Sequence, residues 1–196
     1  METHNLTPLT FQNLYNMTEG FGSGSKTTFW QGGLQVNKQT FGKQLALRVE
    51  LWDEKNTFFS AEFDYIGMRD SDQNYKMNIG TFIKGSAGDG KIQRYSAPLA
   101  TSDNDKTSMS CYGHFSTSWW YRDSNFPSKD DCVTSILVPN SQAGIKWVTL
   151  PKNRIVKAAM KARYYSLSHG KYCSLIVDFS AMTCNLYAGP ECPKAT

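Results

Sequence analysis

Three stretches of the chain switch between apolar and polar residues at every position. Leu45, Leu47, Val49 and Leu51 alternate with Ala46, Arg48 and Glu50; Phe59, Ala61, Phe63 and Tyr65 alternate with Ser60, Glu62 and Asp64; Tyr75, Met77 and Ile79 alternate with Lys76 and Asn78. In an extended chain successive side chains point to opposite faces, so a period of two marks a strand with one face against a core. Asp53-Glu54-Lys55-Asn56 between the first two runs is turn chemistry, and the pattern predicts an antiparallel meander with one wet face. Ile145, Trp147 and Thr149 resume the pattern, as do Cys173, Leu175, Val177 and Phe179. The run from Ile155 to Tyr165 fits strand or helix equally. At the N-terminus, Thr7-Pro8 reads as a helix cap followed by proline in the first turn, with Leu9, Leu14 and Tyr15 as a short stripe that ends before Gly20, Gly22 and Gly24.

From about residue 85 to residue 144 the alternation dissolves into Gly, Ser, Asp, Asn and Pro with scattered aromatics. An unpatterned segment of that length inside a compact domain is usually functional, and something other than a hydrogen-bond ladder must hold it. A bound ion and a disulfide are the candidates. Asp103 and Asp105 lie two residues apart within Ser102–Met109, and carboxylates at that spacing can converge on one calcium ion when the loop curls around it, with backbone carbonyls completing the shell. Asp-Asn-Asp is equally ordinary turn chemistry, so the tripeptide leaves both readings open. Trp119-Trp120-Tyr121 follows closely, and its rings can either pack a local core or line a ligand.

Other chemistries find little support. Gly85–Lys91 nearly matches a phosphate-binding loop, but Ile92 replaces the hydroxyl that would hold magnesium and Asp89 puts negative charge where phosphates would sit. There is no GxSxG elbow, and His4, His114 and His169 are isolated in polar surroundings. A net charge of +4, with no run of like charges, argues against a nucleic-acid footprint. No window approaches the roughly 18 apolar residues of a membrane span, and Met1–Asn5 does not start a signal peptide. Five cysteines, Cys111, Cys132, Cys173, Cys184 and Cys192, include no CxxC pair. Three clustered near the C-terminus point to an oxidising compartment, and the odd total leaves one thiol free or paired with another chain.

Several segments, in order, resemble the fibrinogen C-terminal globular domain, the family of fibrinogen chains, ficolins, tachylectins, angiopoietins and tenascins. They are Gly20-Phe21-Gly22 with Phe29-Trp30, Leu47–Leu51, Tyr75–Gly80 with Gly85–Asp89, Asp103–Lys106 through Cys111 to Trp119-Trp120-Tyr121, Gly144–Trp147 and Met160–Arg163. The resemblance implies an α+β fold with a central, mostly antiparallel sheet, short helices and a large irregular calcium- and ligand-binding region at 85–144. It implies a domain over residues 1–163, lacking the family's small N-terminal subdomain, and a cysteine-containing extension over 164–196.

The resemblance also assigns roles. Asp103 and Asp105 take the family's calcium carboxylate positions, and Thr107 and Met109 the positions whose backbone carbonyls bind the ion. Trp120, Tyr121, Ser124 and Asn125 fall at the ligand pocket. Ser124 stands where the family has its second loop cysteine and Asn125 where it has a histidine, so Cys132 is expected to restore the disulfide with Cys111 from a shifted position. In acetyl-group-binding members a cis peptide precedes that cysteine; Asp123-Ser124 lacks the local disulfide that would support one. The expected function is a secreted, non-catalytic module that binds acetylated glycans or microbial surface groups with structural calcium. The alternative is a protein-binding adhesion or signalling module with a repurposed pocket. Weak single sites would favour a homo-oligomer.

Overall fold

A computed structural model describes residues 13–22, 29–92, 95–122, 132, 135–140 and 144–164. In chain order they form α1 (Leu14–Glu19), β1 (Phe21–Gly22), β2 (Phe29–Trp30), α2 (Gly33–Thr40), β3 (Leu45–Asp53), β4 (Phe58–Phe63) and β5 (Ile66–Met68). A single 3-10 turn at Ser71–Gln73 leads to β6 (Met77–Ile79), β7 (Phe82–Lys84), β8 (Tyr95–Ala97), α3 (Cys111–Phe115), β9 (Ile136–Asn140), β10 (Gly144–Lys146) and β11 (Ile155–Tyr164). This is an α+β architecture. Its central sheet has the order β7-β4-β3-β11-β10-β9 with every pairing antiparallel, and a smaller sheet has the order β5-β6-β8.

The first two alternating runs form the hairpin that the pattern predicts. Trp52 pairs with Phe58 and Leu47 with Phe63, and Asn56 takes a left-handed φ of 60° in the turn. Asp53 organises that turn by accepting the backbone N–H groups of Lys55 and Thr57. Leu45, Leu47, Val49, Leu51, Ala61 and Phe63 all point into the core. Each larger side chain among them contributes about 1.5–3 kcal/mol by leaving water.

The third run departs from the meander. Met77–Ile79 lies in the middle of the smaller sheet, between β5 and β8, and not beside β4. The cause is local: Asn74 and Tyr75 both adopt left-handed backbone (φ 51° and 48°), which turns the chain back onto Ile66–Met68. The place beside β4 is taken by β7, and the second neighbour of β3 is the run that sequence left ambiguous. Ile155–Tyr164 is a strand, and it pairs with β3 from Ile155↔Asp53 to Tyr164↔Leu45. The second face is not simply wet either. Glu50 and Glu62 are buried on it, held by Arg48, Lys161 and Arg163.

Thr7-Pro8 lies outside the described residues; the first described helix is α1, beginning at Leu14. Asn13 is the cap, its side chain accepting the Asn16 N–H at 2.9 Å. Helix α2 was not anticipated, because Leu34 and Val36 alone give too short an apolar pattern. The segment from 85 to 144 is largely irregular, but it contains β8, α3 and β9. Its near-match to a phosphate loop is structural: the Ala87 carbonyl accepts from Trp147 Nε1 at 2.9 Å, and the Gly90 carbonyl accepts from Ser135 Oγ at 2.7 Å. Gly85 has φ 138°, and a Cβ there would lie 2.0 Å from the Ser60 carbonyl oxygen, so the loop's first position admits only glycine. The alternating run at Cys173–Phe179 and the clustered cysteines lie outside the described residues.

Candidate functional site

The irregular segment is built outward from Asn74. Its Nδ2 donates to the Leu99 carbonyl at 2.9 Å, and its Oδ1 accepts from Asn104 Nδ2 at 2.6 Å. Thr101 and Asn104 exchange backbone hydrogen bonds at 3.2 Å, closing a tight turn with Asp103 at its tip. Ala100 pairs with Trp119 through two backbone bonds of 2.9 and 3.0 Å. The turn is thereby tied to the smaller sheet on one side and to the aromatic run on the other.

Within that frame both carboxylates are engaged. Asp103 Oδ1 accepts from the Leu14 N–H and from the Thr101 hydroxyl, each at 2.8 Å. Burial pushes the Asp103 carboxyl up, but these two donors outweigh it and hold it below the usual carboxylate range. Asp105 Oδ1 accepts from the Thr107 N–H at 3.0 Å and from the Thr107 hydroxyl, while Oδ2 accepts from the Tyr112 N–H at 2.8 Å. The Thr107 hydroxyl in turn accepts from the Cys111 N–H at 2.8 Å. Ser110, the residue at the cap position of α3, is left-handed (φ 51°) and makes no side-chain cap. Asp105 and Thr107 supply that capping from upstream, satisfying donors that a helix start leaves open.

Helix α3 begins at Cys111, which is disulfide-bonded to Cys132 with a Cα–Cα separation of 5.5 Å. The turn at 101–105, the short helix and the cross-link therefore form one continuous unit.

The aromatic run packs inward. Trp120 is 1% exposed and Tyr121 fully buried. Trp120 Nε1 donates to the Tyr75 carbonyl at 2.8 Å, and its ring lies 5.8 Å from Trp30 and 5.4 Å from Trp119. The Tyr121 hydroxyl donates to the Thr117 carbonyl at 2.6 Å, and its ring stacks on Phe115. Burial, with the negative charge of Asp105 second, raises the Tyr121 phenol far above its ordinary value. Of the two roles open to these rings, packing is the one their burial supports; anything they present to a ligand has to come from the backbone beside them. Ser124 and Asn125 lie outside the described residues.

The donors at 103–109 fit calcium in chemistry. They are two carboxylates and the backbone carbonyls of Thr107 and Met109, hard oxygens with no nitrogen or sulfur. Among the described residues no group of three His, Cys, Asp or Glu side chains could hold a metal, so a cation here would draw on those carbonyls. Sequence reasoning singled out Asp103, Asp105, Thr107 and Met109 but not Asn74, Thr101, Asn104 and Leu14, which hold the loop in place. These act through hydrogen bonds formed only on folding, and nothing in residue type or spacing signals them.

Residues 9–166 match the family model for the C-terminal globular domain of fibrinogen beta and gamma chains. Ryncolin-4 of Cerberus rynchops is 26% identical over 134 residues, covering 67% of this chain and 38% of the relative. Fibrinogen-like protein A of Apostichopus parvimensis is 30% identical over 162 residues, covering 76% of this chain and 53% of the relative. The chain thus spans roughly half or less of the curated relatives' length. Among solved structures, the fibrinogen-like globe domain of human ANGPTL6 superposes with a TM-score of 0.69 at 22% identity, over 85% of this chain and 76% of that one. The lamprey fibrin D-dimer complexed with the peptide Gly-His-Arg-Pro-amide gives 0.59 at 21% identity, over 87% of this chain and 62% of that one. At these identities the likeness establishes the fold.

Proposed function

This chain belongs to the family of fibrinogen C-terminal globular domains, and from that premise we propose that it is a non-catalytic, extracellular recognition module whose irregular region is organised by calcium. The observation that carries the proposal is the position of Asp105. One carboxylate accepts from Thr107 and from the start of α3, so it couples the 103–109 loop to the helix that bears the Cys111–Cys132 bond. Asp103 and Asp105, with the backbone carbonyls of Thr107 and Met109, would hold the calcium ion, which would supply a compact positive charge to the loop. Its binding free energy would add to the stability of the loop. This chain's own residues hold the loop's outline, and the buried rings of Trp119, Trp120 and Tyr121 pack beside it.

The ligand we propose is an acetylated glycan or a similar microbial surface group, bound weakly at each site and made useful by several copies acting together. A second reading, a protein-binding module of the same fold, is favoured by one feature. The rings of Trp120 and Tyr121 are buried, so they leave no aromatic wall for a sugar. The lamprey fibrin neighbour, whose bound ligand is a peptide, keeps that reading in view.

Two measurements test the proposal. Calorimetric titration with calcium should show one site that Asp103→Ala abolishes; no binding by the unsubstituted chain defeats the ion assignment. Retention on an acetylated-sugar resin, released by chelator or by free acetylated sugar, supports the glycan reading. Flow-through with calcium present, alongside normal calcium binding, selects the protein-binding one.

A further inference from the structure

The face of the central sheet turned away from the core carries a pattern that the candidate site does not use. Cross-strand register places Arg48, Glu50 and Trp52 of β3 opposite Glu62, Ser60 and Phe58 of β4, and opposite Lys161, Ala159 and Lys157 of β11. Arg163 and Lys84 extend the same face, both reaching Glu62. Five cations thus share a surface with two carboxylates. Those carboxylates are sunk beneath them, with side-chain exposures of 12% for Glu50 and 7% for Glu62. Among the described residues, five cations against two carboxylates leave this face a surplus of three positive charges. Lys84 is 68% exposed, and Lys157 is exposed with its ammonium 4.5 Å over the Trp52 ring. None of the ion pairs among the described residues involves Lys157.

The arrangement is linear. At about 3.4 Å per residue, Lys157, Lys161 and Arg163 extend over about 20 Å of β11, with Arg48 on the adjoining strand about 5 Å away. Glu50 and Glu62 clamp Arg48, Lys161 and Arg163 from below, so little side-chain freedom remains to be lost when an anion binds above them. Beside this row stand Trp52 and Phe58, ring centroids 5.3 Å apart and tilted by 57°, with Phe58 46% exposed. Lys157 covers one face of Trp52, and the guanidinium of Arg48 lies 6.0 Å from Phe58. Each ring of the pair therefore has a cation beside it.

We propose that this sheet face is a second binding surface, separate from the calcium loop, for a linear sulfated polysaccharide. Such a polymer matches it in three respects: repeated fixed anions along an extended chain, sugar C–H surfaces between them to lie against Phe58 and Trp52, and no demand for a groove. None of the residues of the 103–109 loop lies on this face.

The test is calorimetric titration of the whole chain with a heparin-derived oligosaccharide. Binding should weaken with added salt. Replacing Lys84 and Lys157 together by Ala should weaken it roughly five- to tenfold, with an unchanged thermal midpoint. The charge-matched pair Lys38→Ala and Lys76→Ala, away from this face, should leave it within about twofold. Desulfated oligosaccharide should not bind, and free acetylated sugar should not compete. The proposal is overturned by absence of binding at low salt, by equal loss in the control pair, by equal affinity for a duplex DNA of matched charge, or by competition from the acetylated sugar.

Discussion

Asp103 Oδ1 accepts the backbone N–H of Leu14 at 2.8 Å, joining residues 89 positions apart in the chain. The bond anchors the first turn of α1 to the tip of the loop read as the calcium site, so helix entry and loop geometry depend on one carboxylate. Asp105 plays the matching part at the other end of the loop, holding the start of α3.

Replacing Asp105 separates the structural role of that carboxylate from ion binding. Asp105→Ala leaves the Tyr112 N–H and both Thr107 donors without their acceptor, a cost of about 1–3 kcal/mol that persists in chelator. Asp103→Ala, at an exposed turn, should cost less without calcium. Saturating calcium should stabilise the unsubstituted chain by about 2.7 kcal/mol at a hundredfold excess over Kd, and neither variant. Urea unfolding with and without calcium reads all of these; a calcium response retained by Asp105→Ala excludes it as a ligand.

Trp120 should be among the costliest aromatic substitutions. Trp120→Ala removes a fully packed ring and strands the Tyr75 carbonyl, for an expected loss of about 3–5 kcal/mol. Trp120→Phe should lose less, retaining the contact with Trp30 while giving up the hydrogen bond. Chemical denaturation measures both, and near-wild-type stability of Trp120→Ala contradicts the core placement.

Breaking the Cys111–Cys132 bond by replacing both residues with Ser frees a loop whose ends are 21 residues apart. The chain-entropy argument puts the loss at about 3 kcal/mol. Calcium affinity should fall with it, since α3 starts at Cys111 and is capped by Asp105. Unchanged affinity in a folded variant would show that loop and cross-link are independent.

Acid should destabilise the domain through identifiable carboxylates. Burial pushes the Glu50 carboxyl up, yet hydrogen bonds and charge from Lys161 and Arg48 outweigh it and hold it down; Asp103 is likewise lowered by Leu14 and Thr101. A folded-state pKa below the unfolded value means the stabilisation is complete above about pH 4 and fades as pH falls through the folded pKa. Unfolding midpoints measured in chelator from pH 6 downward should drop through that range. Glu50→Gln and Asp103→Asn should each start lower and fall less steeply; slopes equal to the unsubstituted chain's would assign the acid response to other groups.

The hairpin of β3 and β4 was legible because its alternation and its turn agree: Leu45 to Leu51 and Phe59 to Phe63 need a single core face, and Asp53 to Asn56 can make the reversal. Met77–Ile79 shows the limit of the same signal. Period two says that a residue set faces a core, but not which strand lies beside it, and two left-handed residues at 74 and 75 sent it to another sheet. Ile155–Tyr164 was ambiguous because Ala158, Ala159 and Ala162 suit either geometry; pairing along the whole of β3 decided it. At the loop, Asp103 and Asp105 were visible as residue types, whereas their partners Leu14, Thr101, Tyr112 and, through Asn104, Asn74 were not.

Sequence alone determined that this chain pairs strands against an aromatic-rich core, which family it resembles, and which two carboxylates stand where that family binds calcium. These follow from local chemistry, since alternation, turn residues and motif order are properties of neighbours in the chain. Only the tertiary structure decided that Trp120 and Tyr121 face inward, that Asp105 caps α3, and that five cations gather over two buried glutamates. Burial and charge pairing depend on the sum of contacts made across strands far apart in sequence, and no single stretch of residues contains that sum.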